Sequence, residues 1–143
     1  HSMKFEISLD HISYAVKSTD GSIEAFSSMY PIVDIYKCHD KRQNIFITFL
    51  SNKTDKQKIE LIEPASDPSP VDNMLADQDS VLYHLCYRVS DFVKAEQHFL
   101  GSGFVTVSPA FNPADEPEVF ASHLYHENIG LIEIIGKNKG EFE

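Results

Sequence analysis

The feature that most limits what this chain can fold into is an internal repeat. Shifted by 73 positions, the sequence meets itself: Leu9, His11, Tyr14 and Val16 fall on Leu82, His84, Tyr87 and Val89. At the same offset Ile59, Glu60 and Ile62 fall on Ile132, Glu133 and Ile135, and Phe26 falls on Phe99. The fragments read LDHISYAV against LYHLCYRV, and KIELIEP against LIEIIGK. Apolar coincidences are common in a chain that is 42% hydrophobic, but a histidine and a glutamate recurring at one unchanged offset are not. A duplicated chain of 143 residues is expected to fold as two small modules of the same topology.

Each half carries the same order of elements. Leu9–Val16 alternates as a strand does, Ser18-Thr19-Asp20 offers helix N-cap chemistry, and Ile23, Phe26 and Tyr30 follow at helical spacing until Pro31. Three strand-like runs come next, Ile32–Cys38, Asn44–Leu50 and Lys58–Ile62. In the second half Val81–Val89 reads as a strand and Asp91 as the cap of a helix bearing Phe92, Ala95 and Phe99, ended by Gly101 and Gly103. Phe104–Val107, Glu118–Tyr125 and Leu131–Ile135 then read as strands. The pattern is βαβββ twice, an α+β architecture; a doubly wound parallel sheet would need a helix after every strand. The expected boundaries are a first module over 4–64, a Pro-rich connector over 65–79 with a short helix at Val71–Asp77, and a second module over 80–138. Ser108–Pro117, with Pro109, Pro113 and Pro117, reads as a long loop, either a lid or a solvated excursion.

Composition narrows the function classes. Twenty-two acidic against twelve basic residues leave a formal charge of −10, which argues against nucleic acid and against anionic membrane surfaces. No apolar run approaches the ~20 residues of a membrane span, and no signal-peptide pattern opens the chain. Cys38 and Cys86 are too few for a disulfide scaffold, so a soluble protein of the cytoplasm is expected. His1-Ser2, ahead of Met3, reads as the remnant of an affinity tag and is set aside.

The repeated polar residues carry the chemistry. Side chains alternate across a strand, so His11 shares a face with Ser13 and Ala15, and His84 with Cys86 and Arg88. Glu60 and Glu133 each interrupt an otherwise apolar strand, where a carboxylate is costly unless paired, protonated or bound to a cation. Two imidazoles and two carboxylates related by a repeat are a ligand set for one first-row divalent ion. Singly, a strand histidine is more often a hydrogen-bonded structural residue and a strand glutamate more often faces water; the pairing by the repeat favours ligation. His39, His98, His123 and His126 have no repeat partner and are read as surface or loop residues, His123 and His126 being the only ones close enough in sequence to Glu133 to reconsider, and Glu63 as solvated. Arg88 is a candidate for a substrate carboxylate or phosphate, and Cys86 and Ser13 for lining a substrate pocket.

On LDHISYAV, KIELIEP, the SPVDNML segment, LYHLCYRV and IGLIEIIG, the chain resembles the vicinal oxygen chelate superfamily from Leu9 to Lys137. That superfamily includes glyoxalase I, methylmalonyl-CoA epimerase, extradiol dioxygenases and the fosfomycin- and bleomycin-resistance proteins; glyoxalase-I-like and epimerase-like patterns are the nearest. The resemblance implies two βαβββ modules whose mixed sheet curls into a cup around a metal, with His11, Glu60, His84 and Glu133 at the four ligand positions. It implies one divalent ion (Ni, Co, Zn or Mn), a small carbonyl or thioester substrate, and a homodimer. The reaction implied is a lyase or isomerase step that moves a proton at the carbon next to a carbonyl through a metal-bound enediolate. Glu133 is the first candidate for the base and Glu60 the second. The alternatives are an epimerase-like racemase, or a non-catalytic protein of the same fold that binds a small molecule or an antibiotic. The epimerase pattern departs at two places: HLYHENIGLIEI lacks the usual Pro-Lys and glycine pair, and Phe46 stands where some epimerases place a second glutamate.

Overall fold

The computed structural model describes residues 3–29 and 31–138; Tyr30, assigned to the first helix by its spacing, lies outside them. Its elements run β1 (Ile7–Val16), α1 (Thr19–Ser27), β2 (Asp34–Asp40), β3 (Ile45–Ser51), β4 (Lys58–Pro64), β5 (Ser80–Val89), α2 (Phe92–Leu100), β6 (Val105–Phe111), β7 (Phe120–His126) and β8 (Gly130–Gly136). The α+β reading and the twofold βαβββ order both hold. Among the described residues no helix is long and apolar enough to cross a membrane.

The chain divides into two compact units, His11–Tyr83 and the residues up to Asp10 together with those from His84 onward. It passes between them inside β1, at Asp10–His11, and inside β5, at Tyr83–His84. In the first half the strands are ordered β2-β3-β4-β1, with β1 and β4 parallel and the other neighbours antiparallel. In the second half the order is β5-β8-β7-β6, with β5 and β8 parallel and the others antiparallel. Identical topology and identical parallel pairs are what a duplicated sequence requires.

Period-two patterning assigns the faces. In the first half Tyr14 and Val16 join Leu50 and Leu61 under Ile23 and Phe26 of α1, with the Tyr14 and Phe26 rings 5.5 Å apart. In the second half Tyr87 and Val89 pack with Leu124, Ile132 and Ile134 against Phe92 and Ala95 of α2. Both helices begin as their cap chemistry predicts: the Ser18 hydroxyl accepts from the Gly21 N–H at 3.0 Å, and the Asp91 carboxylate from the Lys94 N–H at 3.1 Å. Asp91 is buried as well, so Asp91→Ala is expected to cost about 1 kcal/mol in chemical denaturation, where Ser18→Ala, at an exposed cap, costs less.

Two local expectations change. Val71–Asp77 forms hydrogen-bonded turns rather than a helix, Leu75 N–H donating to Val71 and Asp72 carbonyls at 3.2 Å. The segment is held by burial instead: Val71 and Leu75 enter the core of Ala15, Ile45, Ile47, Phe49 and Ile62, which places the connector in the first unit. Asn44 pins its start, donating from Nδ2 to the Ser66 and Pro68 carbonyls at 2.8 Å each. The second change is β6, which continues through Ser108 and Pro109 to Phe111. Pro109 is accommodated because β6 ends its sheet order and pairs with β7 through shifts of register at Thr106/Ser108 and Ser108/Phe111. The loop proper is therefore 112–119.

Candidate metal centre

Strand pairing builds the same small constellation in each unit. In the first, β1 and β4 lie parallel with Ser13 opposite Glu60 and Ala15 opposite Ile62. Ser13, Glu60 and His11 are all buried among apolar neighbours on the face away from α1. The His11 Nε2 lies 3.2 Å from the Glu60 Oε1, and the Ser13 hydroxyl donates to that same oxygen. Phe49 stands opposite Glu60 on β3 and turns its ring edge-on to the His11 imidazole, centroids 5.1 Å apart.

In the second unit, β5 and β8 place Cys86 opposite Glu133. The His84 Nε2 lies 3.3 Å from the Glu133 Oε1, and both residues are buried. Cys86 is fully enclosed with Phe111, Val119, Ala121 and Ile135. On the other side of Glu133, β7 supplies His123, directly opposite in the β7–β8 register. Its Nε2 is 3.4 Å from the Glu133 Oε2, and its ring is 5.2 Å from that of His84.

His123 is thus buried at the second glutamate, not a surface or loop residue. The missed signal was in the hairpin: with Gly130 at φ 96° closing the turn, His126 faces Gly130, and counting back three residues on each strand sets His123 against Glu133. Glu63 is also not simply solvated, since its Oε1 accepts the Thr19 N–H at 2.7 Å and satisfies the first turn of α1. His39 is exposed, its ring tilted against that of Phe46 with centroids 4.7 Å apart.

Arg88, offered above to a substrate anion, meets carboxylates of its own chain. Its Nε donates to Asp10 Oδ1 at 2.9 Å, and its two terminal nitrogens bind Glu116 in a fork at 3.0 and 2.7 Å. The Glu116 hydrogen bond raises the guanidinium pKa above its ordinary value, against desolvation, and Asp10 adds to the rise. Glu116 belongs to the 112–119 loop, which is further closed by Asn112 Nδ2 donating to the Val119 carbonyl at 2.8 Å. The loop is therefore pinned to β5. Replacing Arg88 with Ala is expected to speed amide hydrogen exchange at 114–119 by roughly fivefold, for a loss of about 1 kcal/mol at this partly exposed pair. Unchanged exchange there would show that the fork holds nothing.

The donor set suits a divalent ion. Each unit offers a buried imidazole nitrogen beside a buried carboxylate oxygen, at 3.2 and 3.3 Å. Imidazole and carboxylate together are borderline-hard ligands that fit zinc, nickel, cobalt, manganese or iron(II). A carboxylate buried beside an imidazole is a group whose desolvation a bound cation offsets.

Comparison with known proteins agrees with this architecture. The family model described as Glyoxalase/Bleomycin resistance protein/Dioxygenase superfamily matches residues 10–120. Among solved structures, methylmalonyl-CoA epimerase from Mycobacterium tuberculosis superposes with a TM-score of 0.79 at 20% identity, covering 90% of this chain and 87% of its own. A hypothetical protein from Bacillus halodurans C-125 gives 0.79 at 22% identity over 94% and 97% of the two chains. A Streptomyces coelicolor methylmalonyl-CoA epimerase variant, solved in complex with 2-nitronate-propionyl-CoA, gives 0.76 at 17% identity over 90% and 96%. No curated protein sequence matches the chain.

Proposed function

Because the chain belongs to the glyoxalase/bleomycin resistance protein/dioxygenase superfamily, we propose that it is a divalent-metal-dependent lyase or isomerase of the glyoxalase type. The reaction is movement of a proton at the carbon beside a carbonyl in a small oxo compound or thioester. The observation that carries this reading is the buried histidine–glutamate pair, repeated at equivalent register positions in both modules. A solvated face or a single structural ion pair would not need to be built twice.

In this reading His11, Glu60, His84 and Glu133 hold one ion jointly. When bound, that ion supplies Lewis acidity, lowering the cost of the charge that builds on a substrate oxygen as the neighbouring carbon loses its proton. The chain's own residues do the rest. Ser13 donates to Glu60 and keeps that carboxylate turned toward His11. Glu133 is the base; to act it must come within ~3 Å of the departing proton. Cys86 and Ser13, both fully buried, exclude water from the carboxylates. A homodimer and a cytoplasmic setting accompany this proposal.

The epimerase reading shares the fold, and neighbours of that activity support it as the second choice. It is weakened by β3, whose sequence IFITFLS holds no carboxylate for a second base. The deciding experiment is deuterium incorporation from solvent into methylmalonyl-CoA and, separately, lactoylglutathione formation from the methylglyoxal–glutathione adduct. Turnover of the adduct alone supports the glyoxalase-type reaction. Exchange into the thioester alone transfers the assignment to the racemase. Neither activity in ion-loaded protein overturns catalysis and leaves small-molecule binding.

A further inference from the structure

The two modules are not equal at their glutamates, and the difference assigns a role to a residue outside the repeat. In the first module the polar neighbour of Glu60 comes from β1, where Ser13 donates a hydroxyl. The repeat places Cys86 at the corresponding point of β5, opposite Glu133. A sulfhydryl is a much weaker donor than a hydroxyl, so Cys86 is a poor replacement. On the strand at the other side of each glutamate the exchange is reversed. Phe49 faces Glu60 from β3, and His123 faces Glu133 from β7. Both rings lie against the module's conserved-by-repeat histidine, at 5.1 Å from His11 and 5.2 Å from His84, so they occupy the same place in the packing.

We infer that His123 is a positioning residue for Glu133, taking over from the opposite strand the task that the Ser13 hydroxyl performs for Glu60. His123 Nε2 approaches Oε2 at 3.4 Å while His84 Nε2 approaches Oε1 at 3.3 Å, so the two oxygens of Glu133 are divided between two imidazoles. At Glu60, His11 Nε2 approaches Oε1, the oxygen that also accepts from the Ser13 hydroxyl. The His123 ring is itself held, edge-on to Phe111 at 5.5 Å. Dividing the oxygens fixes the carboxylate plane of Glu133 about its last torsion. The glutamate assigned above as base thus has an imidazole nitrogen near each of its oxygens.

This inference rests on the shared-ion reading, and cobalt(II) separates the two. Titration of the wild type, His123→Phe and His123→Gln by calorimetry and by the visible cobalt absorption gives affinity, stoichiometry and ligand geometry without any assay of turnover. His123→Phe installs the ring that the first module carries, and His123→Gln keeps an N–H donor at about the same reach. One cobalt per wild-type chain, an affinity 10- to 100-fold weaker with an altered visible band in His123→Phe, and an affinity within about threefold of wild type in His123→Gln are the expected results. Wild-type affinity and spectrum in His123→Phe overturn the inference alone. So does equal weakening in both variants, which would mean that the ring and not its N–H matters. A wild type that takes no cobalt overturns the shared-ion reading and this inference with it. Should His123→Phe fail to fold, as judged by thermal unfolding, His123→Leu against His123→Gln makes the same comparison.

Discussion

Purified wild-type protein is expected to carry about one divalent ion per chain after loading with nickel, cobalt or zinc, and His84→Ala to retain almost none after dialysis. Removing an imidazole ligand deletes a bond to the ion and leaves the buried Glu133 beside an emptied space. Loss of a residue that only orients a ligand costs metal affinity about 10- to 100-fold, so loss of a ligand should exceed about 100-fold. His11→Ala should behave the same way, because the repeat makes it the counterpart of His84. His39→Ala is the control, since that ring is exposed and rests against Phe46. Elemental analysis by mass spectrometry reads all four proteins. Equal metal in wild type and His84→Ala would place the ion elsewhere, and no metal in either would remove the basis for a metal-dependent enzyme.

The second large effect concerns stability and needs no ligand. Gly136 closes β8, and a Cβ built there would run into the Val89 carbonyl oxygen and lie 3.0 Å from the Val89 Cγ2. The obstacle is backbone and cannot rotate away; Arg88, just before it, is held in parallel register with Ile135. Val89 also belongs to the core under α2, so yielding would disturb Phe92 and Ile134 as well. Gly136→Ala is expected to cost about 3 kcal/mol, a fall in Tm of roughly 10 °C for a chain of this length. Gly130→Ala makes a useful contrast. Gly130 has φ 96° but nothing within 4 Å of an added Cβ, so only backbone strain of about 1–2 kcal/mol applies. Thermal unfolding of the two variants side by side tests the ordering; Gly130→Ala being the more damaged would refute the close-approach argument.

Several features of the molecule are legible in its sequence alone. The offset of the repeat predicts the common topology, and both halves show it down to the parallel pairs β1–β4 and β5–β8. Alternation predicts that Tyr14 and Val16 lie under one helix and Tyr87 and Val89 under the other, and they do. Ser18 and Asp91 cap their helices as their chemistry requires. All of these are local statements: a strand's period, a cap's reach, or a copy's position along one chain.

What the tertiary structure alone decided is pairing across strands. That Arg88 meets Asp10 and Glu116 depends on a strand 78 residues earlier in the chain and a loop 28 residues later. Val71–Asp77 forms turns, because a segment this short with Asp72, Asn73 and Asp77 is a poor helix former, and burial of Val71 and Leu75 against Ala15 and Ile62 holds it without one. His123 has no counterpart in the repeat, because the hairpin before Glu133 is shorter than the one before Glu60 and shifts what lies opposite each glutamate. Sequence by itself determines which residue types recur and which face each occupies, since both follow from spacing along one chain. Which side chain meets which carboxylate is a matter of register, set by turn lengths and by burial summed over distant segments, and that is resolved only when the chain has folded.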